Sequence, residues 1–297
     1  MGALSQRATE AVGGLDLPWR FAPRGDYDPD HNPTGLISFG TAENALVTDQ
    51  IKAFTDKNVT ISHEDFLYRG SHGGGTRFPK ALAAHLNEYL TPHSPITPDM
   101  IRCVGAATAM HDILAWAVAD PGDGVLTSRP VYGRFELDFG NKSQVRVVYS
   151  SNKIEEGFQQ GIIEKFEDAL LRSKKAGVHV RMVLIVNPHN PLDSSGLIDP
   201  SLLHVTYGLS KDFGAAGLRL GAIVTQSQPV LRAIEAAMRF HNPSGASLAI
   251  GSAMLEDRAW CRSFVDLSRS KLSQAHRHIT SQLKAIGIKC LPGSNAA

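Results

Sequence analysis

From residue 101 onward, two patterns of apolar and polar positions alternate along the chain. Short apolar runs read as strands in GVLTSRP (124–130), SQVRVVYS (143–150), VRMVLIVNP (180–188), HVTYGL (204–209) and RLGAIVTQ (219–226). Between them, apolar residues at helical spacing predict amphipathic helices. CVGAATAMHDILAWAVA (103–119) reads as a short strand, a small-residue turn and a helix, and EKFEDALLRSKKAG (164–177) as a helix stopped by Gly177. Residues 230–285 read as largely helical, and IKCLPGSNAA at the end as a strand start and loop. Short strands separated by helices predict an α/β fold with a mostly parallel sheet covered on both faces. In such sheets ligands lie beyond the carboxyl ends of the strands.

Upstream the pattern is looser. Pro, Asp and Gly crowd PWRFAPRGDYDPDHNPTG, which reads as turns, and LISFG (36–40) reads as a short strand before a helix capped in the region Thr41 to Asn44. GSHGGG (70–75) reads as a flexible loop, and PKALAAHLNEYL (79–90) as a helix with Pro79 in its first turn.

Composition narrows the function classes. At 297 residues the chain has room for about two domains. With 30 Lys+Arg against 29 Asp+Glu, no basic field exists to attract nucleic acid or an anionic membrane. Cys103, Cys261 and Cys290 lie far apart, so neither a disulfide framework nor a thiolate metal cage is written. His63, His72, His111, His189, His276 and His278 show no metal-binding spacing, so no metal is expected. No apolar run approaches the roughly 20 residues that span a bilayer, and MGALSQRATE carries no apolar targeting core. The expectation is a soluble, cytoplasmic protein.

Candidate chemistry gathers at the strand ends. Lys211 lies in YGLSKDFGAAGLRLG, where small residues let a backbone close on a flat ligand. A desolvated lysine there serves as a Schiff-base nucleophile; taken singly it reads as a solvated loop lysine. Arg219 offers a bidentate phosphate donor or is a surface arginine. Gly105–Ala109, between a strand and a helix, can present backbone N–H groups to a phosphate or simply pack helix on sheet. Asn190, in Asn187-Pro188-His189-Asn190-Pro191, can donate to a ring oxygen or close an Asx turn. Tyr132 can stack on an aromatic ring or pack internally. Asp212-Phe213-Gly214 spells the metal-binding tripeptide of protein kinases, but the other kinase motifs are missing.

The order of these signals resembles the fold-type I pyridoxal-phosphate aminotransferases of class I/II. The wording YGLSKDFGAAGLRLG, NPHNPL and FGTAENAL is most similar to their 1-aminocyclopropane-1-carboxylate synthase-like branch. The resemblance implies an aspartate aminotransferase-like fold and pyridoxal 5'-phosphate as cofactor. It implies Lys211 as the residue that forms the internal aldimine and shuttles the Cα proton, with Ala107, Thr108, Ser210 and Arg219 at the phosphate. Tyr132 would stack on the pyridine ring and Asn190 would bond its 3-oxygen. Glu43 and Tyr68 would face a small amino-acid substrate, Tyr68 by reaching across the interface of a homodimer. It implies an N-terminal arm and small-domain segment over 1–60, the cofactor-binding large domain over 61–228, and a linking helix with the start of a small domain over 229–297.

The chain also departs from that pattern. Only residues 191–210 separate Asn190 from Lys211, and neither Asp193 nor Asp199 ends an apolar strand. The interior strand whose Asp pairs with the pyridine nitrogen is therefore expected to be absent, and the C-terminal small domain incomplete. Gly208 stands where the family often has a phosphate-binding serine. Two functions follow: a transferase or lyase catalysing transamination, α,γ-elimination or β-elimination, and a non-catalytic remnant that binds the cofactor weakly or not at all.

Overall fold

The structure is a computed structural model that describes residues 4–13, 25, 27–36, 42–129, 131–151, 161–186 and 199–288. Asn190, Asp193, most of the strand expected at 36–40 and nearly all of the terminal IKCLPGSNAA lie outside the described residues. Six strands are present among those described: β1 (Ile101–Val104), β2 (Gly124–Arg129), β3 (Arg146–Ser151), β4 (Val180–Val183), β5 (His204–Gly208) and β6 (Gly221–Thr225). The helices are α1 (Gln6–Gly13), α2 (Thr48–Asn58), α3 (Tyr68–Ser71), α4 (Arg77–Leu90), α5 (Ala107–Val118), α6 (Phe135–Gly140), α7 (Ile162–Lys175), α8 (Leu209–Asp212), α9 (Gln228–Ala237), α10 (Gly245–Glu256) and α11 (Arg258–Ala285). The chain divides into two compact units. One comprises residues 1–42 and 114–186; the other comprises 43–113 and 187–297.

The first unit carries the expected parallel sheet, in the order β3-β2-β4. Its central β2 is buried from Gly124 to Thr127, as a strand covered on both faces must be. α6 and α7 pack on this sheet, and Phe135, Phe139, Val125 and Val145 close a small core. β4 is shorter than its apolar sequence predicts. It pairs with β2 on one side and with no strand on the other among the described residues. Val183 and Ile185 are 57% and 64% exposed along this stretch.

The second unit holds the larger core and a sheet in the order β1-β6-β5. Both of its pairings are antiparallel, where the strand–helix alternation predicted parallel neighbours. The reason is the connection after β5: residues 209–220 fold back at the same end of the sheet instead of crossing it, so β6 runs against β5. β5 is an edge as well, paired with β6 alone among the described residues.

Helices α4, α10 and α11 cover this core. α4 buries Phe78, Leu82 and Leu86 at helical spacing, each stabilising by about 1.5–3 kcal/mol, and Pro79 sits in its first turn, where no N–H is needed. α10 is apolar around most of its circumference and is correspondingly buried. α11 starts where Asp257 accepts from the Trp260 N–H (2.9 Å), and buries Cys261, Phe264 and Val265 before turning polar. The GSHGGG segment is not an open loop. Gly73, Gly74 and Gly75 all take positive φ, and a Cβ on Gly74 would lie 2.6 Å from the Cβ of buried Cys103. Glycine is required there by close packing.

Candidate functional site

The antiparallel sheet of the second unit focuses three connections at one end. Gly221 opens β6 and pairs with Val104, the last residue of β1, on one side and with Gly208, the last of β5, on the other. The chain leaves β1 through Gly105 and Ala106 into α5, and leaves β5 directly into α8, which carries Ser210 and Lys211. The N-terminus of α5 and the lysine turn therefore start from the same sheet end.

Two glycines allow their approach. A Cβ on Gly221 would lie 2.3 Å from the Ala106 carbonyl carbon and 2.4 Å from the Ala107 nitrogen, so the missing side chain is the space the α5 turn occupies. A Cβ on Gly208 would lie 3.1 Å from the Leu220 oxygen and 4.0 Å from the Ala107 Cβ. A side chain at 208 would sit tight against the Leu220 carbonyl, while its contact with Ala107 would be an ordinary one. Ala106 is itself held at φ +100, a conformation costing a non-glycine residue of order 1–3 kcal/mol. The turn is also tied by the Gly105 N–H donating to the His241 carbonyl at 2.8 Å.

The first α-type bond of α5 runs from the Met110 N–H to the Ala106 carbonyl (3.2 Å). The amides of Ala107, Thr108 and Ala109 precede it and lie at the positive end of the helix dipole. Ser210 is half-buried in α8, while Lys211 is exposed. Arg219, exposed and at φ +51, lies two residues before Gly221 and donates from Nη1 to the Ala216 carbonyl at 3.3 Å.

The rest of YGLSKDFGAAGLRLG is absorbed by the fold. The Asp212 carboxylate accepts from the Tyr207 hydroxyl at 2.8 Å. Phe213 is fully buried and stacks on Phe264 with centroids 5.7 Å apart. Gly214 turns at φ +59 against the Asn44 carbonyl. The kinase-like tripeptide is thus a hydrogen-bond acceptor, a core residue and a turn glycine.

Glu43 lines a pocket of about 120 Å³ with Asn44, Thr48, Gly214 and Ala216. Buried Asn44 donates from Nδ2 to Ser268 Oγ at 3.0 Å. Tyr68 is 98% exposed on α3. Tyr132 belongs to the first unit, where its half-exposed ring meets Phe135 edge-on at 5.2 Å. The second unit therefore brings Ala107, Thr108, Ser210, Lys211 and Arg219 together around one sheet end.

Sequence patterning does not single out the buried polar residues behind this site. His85, on the apolar face of α4, has its Nε2 3.1 Å from the Tyr207 hydroxyl and its Nδ1 3.3 Å from Arg258 Nη1. Burial, reinforced by the Arg258 charge, pushes His85 down to about 4, and burial likewise drives the Tyr207 phenol well up. The spacing His85, Glu88, Tyr89 is the available signal, since residues three and four apart share a helix face.

Pyridoxal phosphate can be tested against these residues end by end. The donor set suits its phosphate: three amides at a helix N-terminus, a hydroxyl and an arginine lie on turns that adjoin the same sheet end. For the pyridine nitrogen, the connector between Asn190 and Lys211 offers Asp193, which lies outside the described residues, and Asp199. Asp199 caps an exposed turn, accepting from the Ser201 N–H at 2.9 Å.

Known proteins resemble this chain in both sequence and fold. A sequence profile of aminotransferase class I and II matches residues 34–194 and 192–297, two pieces that meet in the connector between β4 and β5. 1-Aminocyclopropane-1-carboxylate synthase 3 of Oryza sativa subsp. japonica is 28% identical over 360 residues, covering 99% of this chain and 79% of its own length. The synthase 7 of Arabidopsis thaliana is 27% identical, covering 98% and 78%. Both matches run longer than the 297 residues available, so each relative carries residues that this chain lacks. The fold is similar to that of aspartate aminotransferase from Thermus thermophilus with maleate (TM-score 0.64, 16% identity, 97% of this chain and 82% of that one). It is also similar to alanine aminotransferase from Pyrococcus furiosus (TM-score 0.61, 17% identity, 95% and 79%). No helix among the described residues is long and apolar enough to cross a membrane. With that profile matching most of its length, the chain belongs to the class I and II aminotransferases, whose cofactor is pyridoxal 5'-phosphate.

Proposed function

We propose that this chain is a pyridoxal-phosphate enzyme of the 1-aminocyclopropane-1-carboxylate synthase-like branch, acting on a small amino acid. The observation that carries the reading is the close approach of the α5 N-terminus to Gly208 and Gly221, which sets the Ala107 and Thr108 amides beside the turn bearing Ser210 and Lys211. When bound, the cofactor supplies an electron sink for the carbon bearing the amino group. Ala107, Thr108, Ser210 and Arg219 would hold the phosphate by charge-assisted hydrogen bonds. Lys211 Nζ would anchor the cofactor and would be the base placed to take a proton from the substrate Cα. Tyr132 and Asn190 would hold the ring, and Glu43 would meet the substrate. Transamination, α,γ-elimination and β-elimination all start with that proton transfer. The reading further includes a homodimer with Tyr68 at its interface, and the domain division 1–60, 61–228 and 229–297.

The test is the visible spectrum of the purified chain with pyridoxal phosphate, followed by borohydride reduction and peptide mass mapping. The expected result is a visible band and a reduced adduct on Lys211, both lost in Lys211→Ala. An adduct that persists in that variant refutes the assignment. A second reading, a non-catalytic remnant that keeps the phosphate site, is favoured by one observation: Asp199, in the short connector before Lys211, caps an exposed turn instead of ending an interior strand. It predicts an adduct on Lys211 but no exchange of the Cα proton of any amino acid in deuterated water.

A further inference from the structure

The buried stripe of α11 turns polar where it meets the segment after Glu43. Cys261, Phe264 and Val265 face the core at helical spacing, and the next place on that face holds Ser268, 4% exposed, with Lys271 one turn further. Both reach the short turn Ala45–Val47 and the Asn44 that precedes it. Ser268 Oγ accepts from Asn44 Nδ2 at 3.0 Å, and Lys271 Nζ donates to the Leu46 carbonyl at 2.6 Å. The same turn packs against the connection that follows Lys211. A Cβ on Gly214 would lie 3.0 Å from the Asn44 carbonyl oxygen and 3.1 Å from Val47 Cγ2. Glu43 and Thr48 from one segment, and Gly214, Ala216 and Gly217 from the other, line the pocket where the two meet.

Local structure does not call for these ties. An asparagine before a helical turn ordinarily caps it with its own side chain, yet Asn44 makes no such bond and turns its amide to α11. Val47, fully buried, already seats the turn on the core. An aliphatic residue at 44 would avoid burying an amide whose Oδ1 has no partner among the described residues. What the two ties add is a turn fixed at its start and at its middle, and with it the place of Glu43, the residue before Asn44.

We infer that Ser268 and Lys271 are positioning residues that lock the 44–47 turn to α11 and so hold Glu43 at the pocket beside the connection that carries Lys211. The functional meaning of this rests on Glu43 meeting the substrate, as proposed above.

Two readouts on the full chain separate the positioning from the substrate reading. The first needs no cofactor: backbone ¹⁵N order parameters of Ala45, Leu46 and Val47. Values near 0.85, those of rigid backbone, are expected in the unmodified chain, and values below about 0.6 in Ser268→Ala combined with Lys271→Met. Lys271→Arg, which keeps a donor, and Arg269→Met, at an exposed neighbour on α11, are expected to stay near the rigid value. The second readout uses the chain loaded with pyridoxal phosphate and compares the dissociation constants of L-alanine and L-2,4-diaminobutyrate by absorbance titration. The side-chain ammonium of diaminobutyrate is attracted by a carboxylate, so the preference for it over alanine reports Glu43, whereas general damage weakens both. That preference is expected to fall about fivefold in Lys271→Met, the size of one partly exposed ion pair. It is expected to return in Lys271→Arg, and to fall no further when Lys271→Met is added to Glu43→Gln. Rigid order parameters in the double variant overturn the inference. So does an unchanged preference in Lys271→Met where Glu43→Gln itself lowers it. If Glu43→Gln leaves the preference unchanged, or the chain takes up no cofactor, the substrate reading of Glu43 fails, and the order parameters alone decide whether α11 fixes the turn.

Discussion

Replacing Gly221 with alanine tests whether the sheet end is the cradle described. The new Cβ would lie 2.3–2.6 Å from Ala106 and Ala107 backbone atoms, where ordinary contacts are 3.4–4 Å. Gly221 is locked on both sides by its pairing with Val104 and Gly208. The α5 turn must therefore retreat by roughly an ångström, as judged from ordinary core packing distances. Overpacking of this kind costs about 1–3 kcal/mol, and with backbone on both sides the upper end is expected. At about 2 °C per kcal/mol for a chain of this size, the melting midpoint falls by about 6 °C. The same retreat carries the Ala107 and Thr108 amides away from Ser210, so affinity for pyridoxal phosphate, followed by absorbance titration, falls by about tenfold or more, the loss of at least one charge-assisted hydrogen bond. Gly217→Ala is the control, because nothing lies within 4 Å of its added carbon; its midpoint stays within about 2 °C of the parent. A Gly221→Ala protein with unchanged melting and unchanged affinity would refute the cradle.

Two further outcomes follow from the fold. Because the folded state holds His85 near 4, below its ordinary 6.5, the unfolded chain takes up a proton that the folded chain refuses between those values. Stability therefore falls as pH is lowered through that window, by about 2 kcal/mol at pH 5. Urea titrations at pH 7 and 5 should show this loss and should show it reduced in His85→Phe; equal losses in the two proteins would contradict it. At the edge of β4 that no strand pairs among the described residues, Val183→Lys should slow aggregation severalfold in light scattering, with the melting midpoint held within about 2 °C, since Val183 is more than half exposed. An unchanged aggregation rate would show that this edge is not the adhesive one.

The parts of the fold legible in the sequence are those written by local periodicity. The α4 and α7 helices and the β2, β3, β5 and β6 strands lie close to where their apolar spacing predicts them. β4 ends early, because its apolar run continues at an edge where no strand receives it among the described residues. Strand direction was not legible: whether residues 209–220 cross the sheet or fold back depends on tertiary packing. The triple glycine read as a flexible loop because composition cannot distinguish freedom from close packing against Cys103. Lys211, Ser210 and Arg219 were legible as an ordered motif, and Ala107 and Thr108 as a turn between strand and helix. The His85–Tyr207 contact was not, because it joins positions more than a hundred residues apart.

An edge location for β5 changes how firmly the lysine turn is anchored in time. In a strand with neighbours on both sides, local opening must break two ladders; among the described residues β5 has one, to β6. The free energy separating the closed turn from its frayed states then rests on that ladder and on the Tyr207 hydroxyl. Amide exchange should accordingly be slowest in β6, which is paired on both sides, and faster in β5 and α8. Lys211 would hang from one of the less protected strands of its own sheet, its position held by side chains as much as by strand pairing.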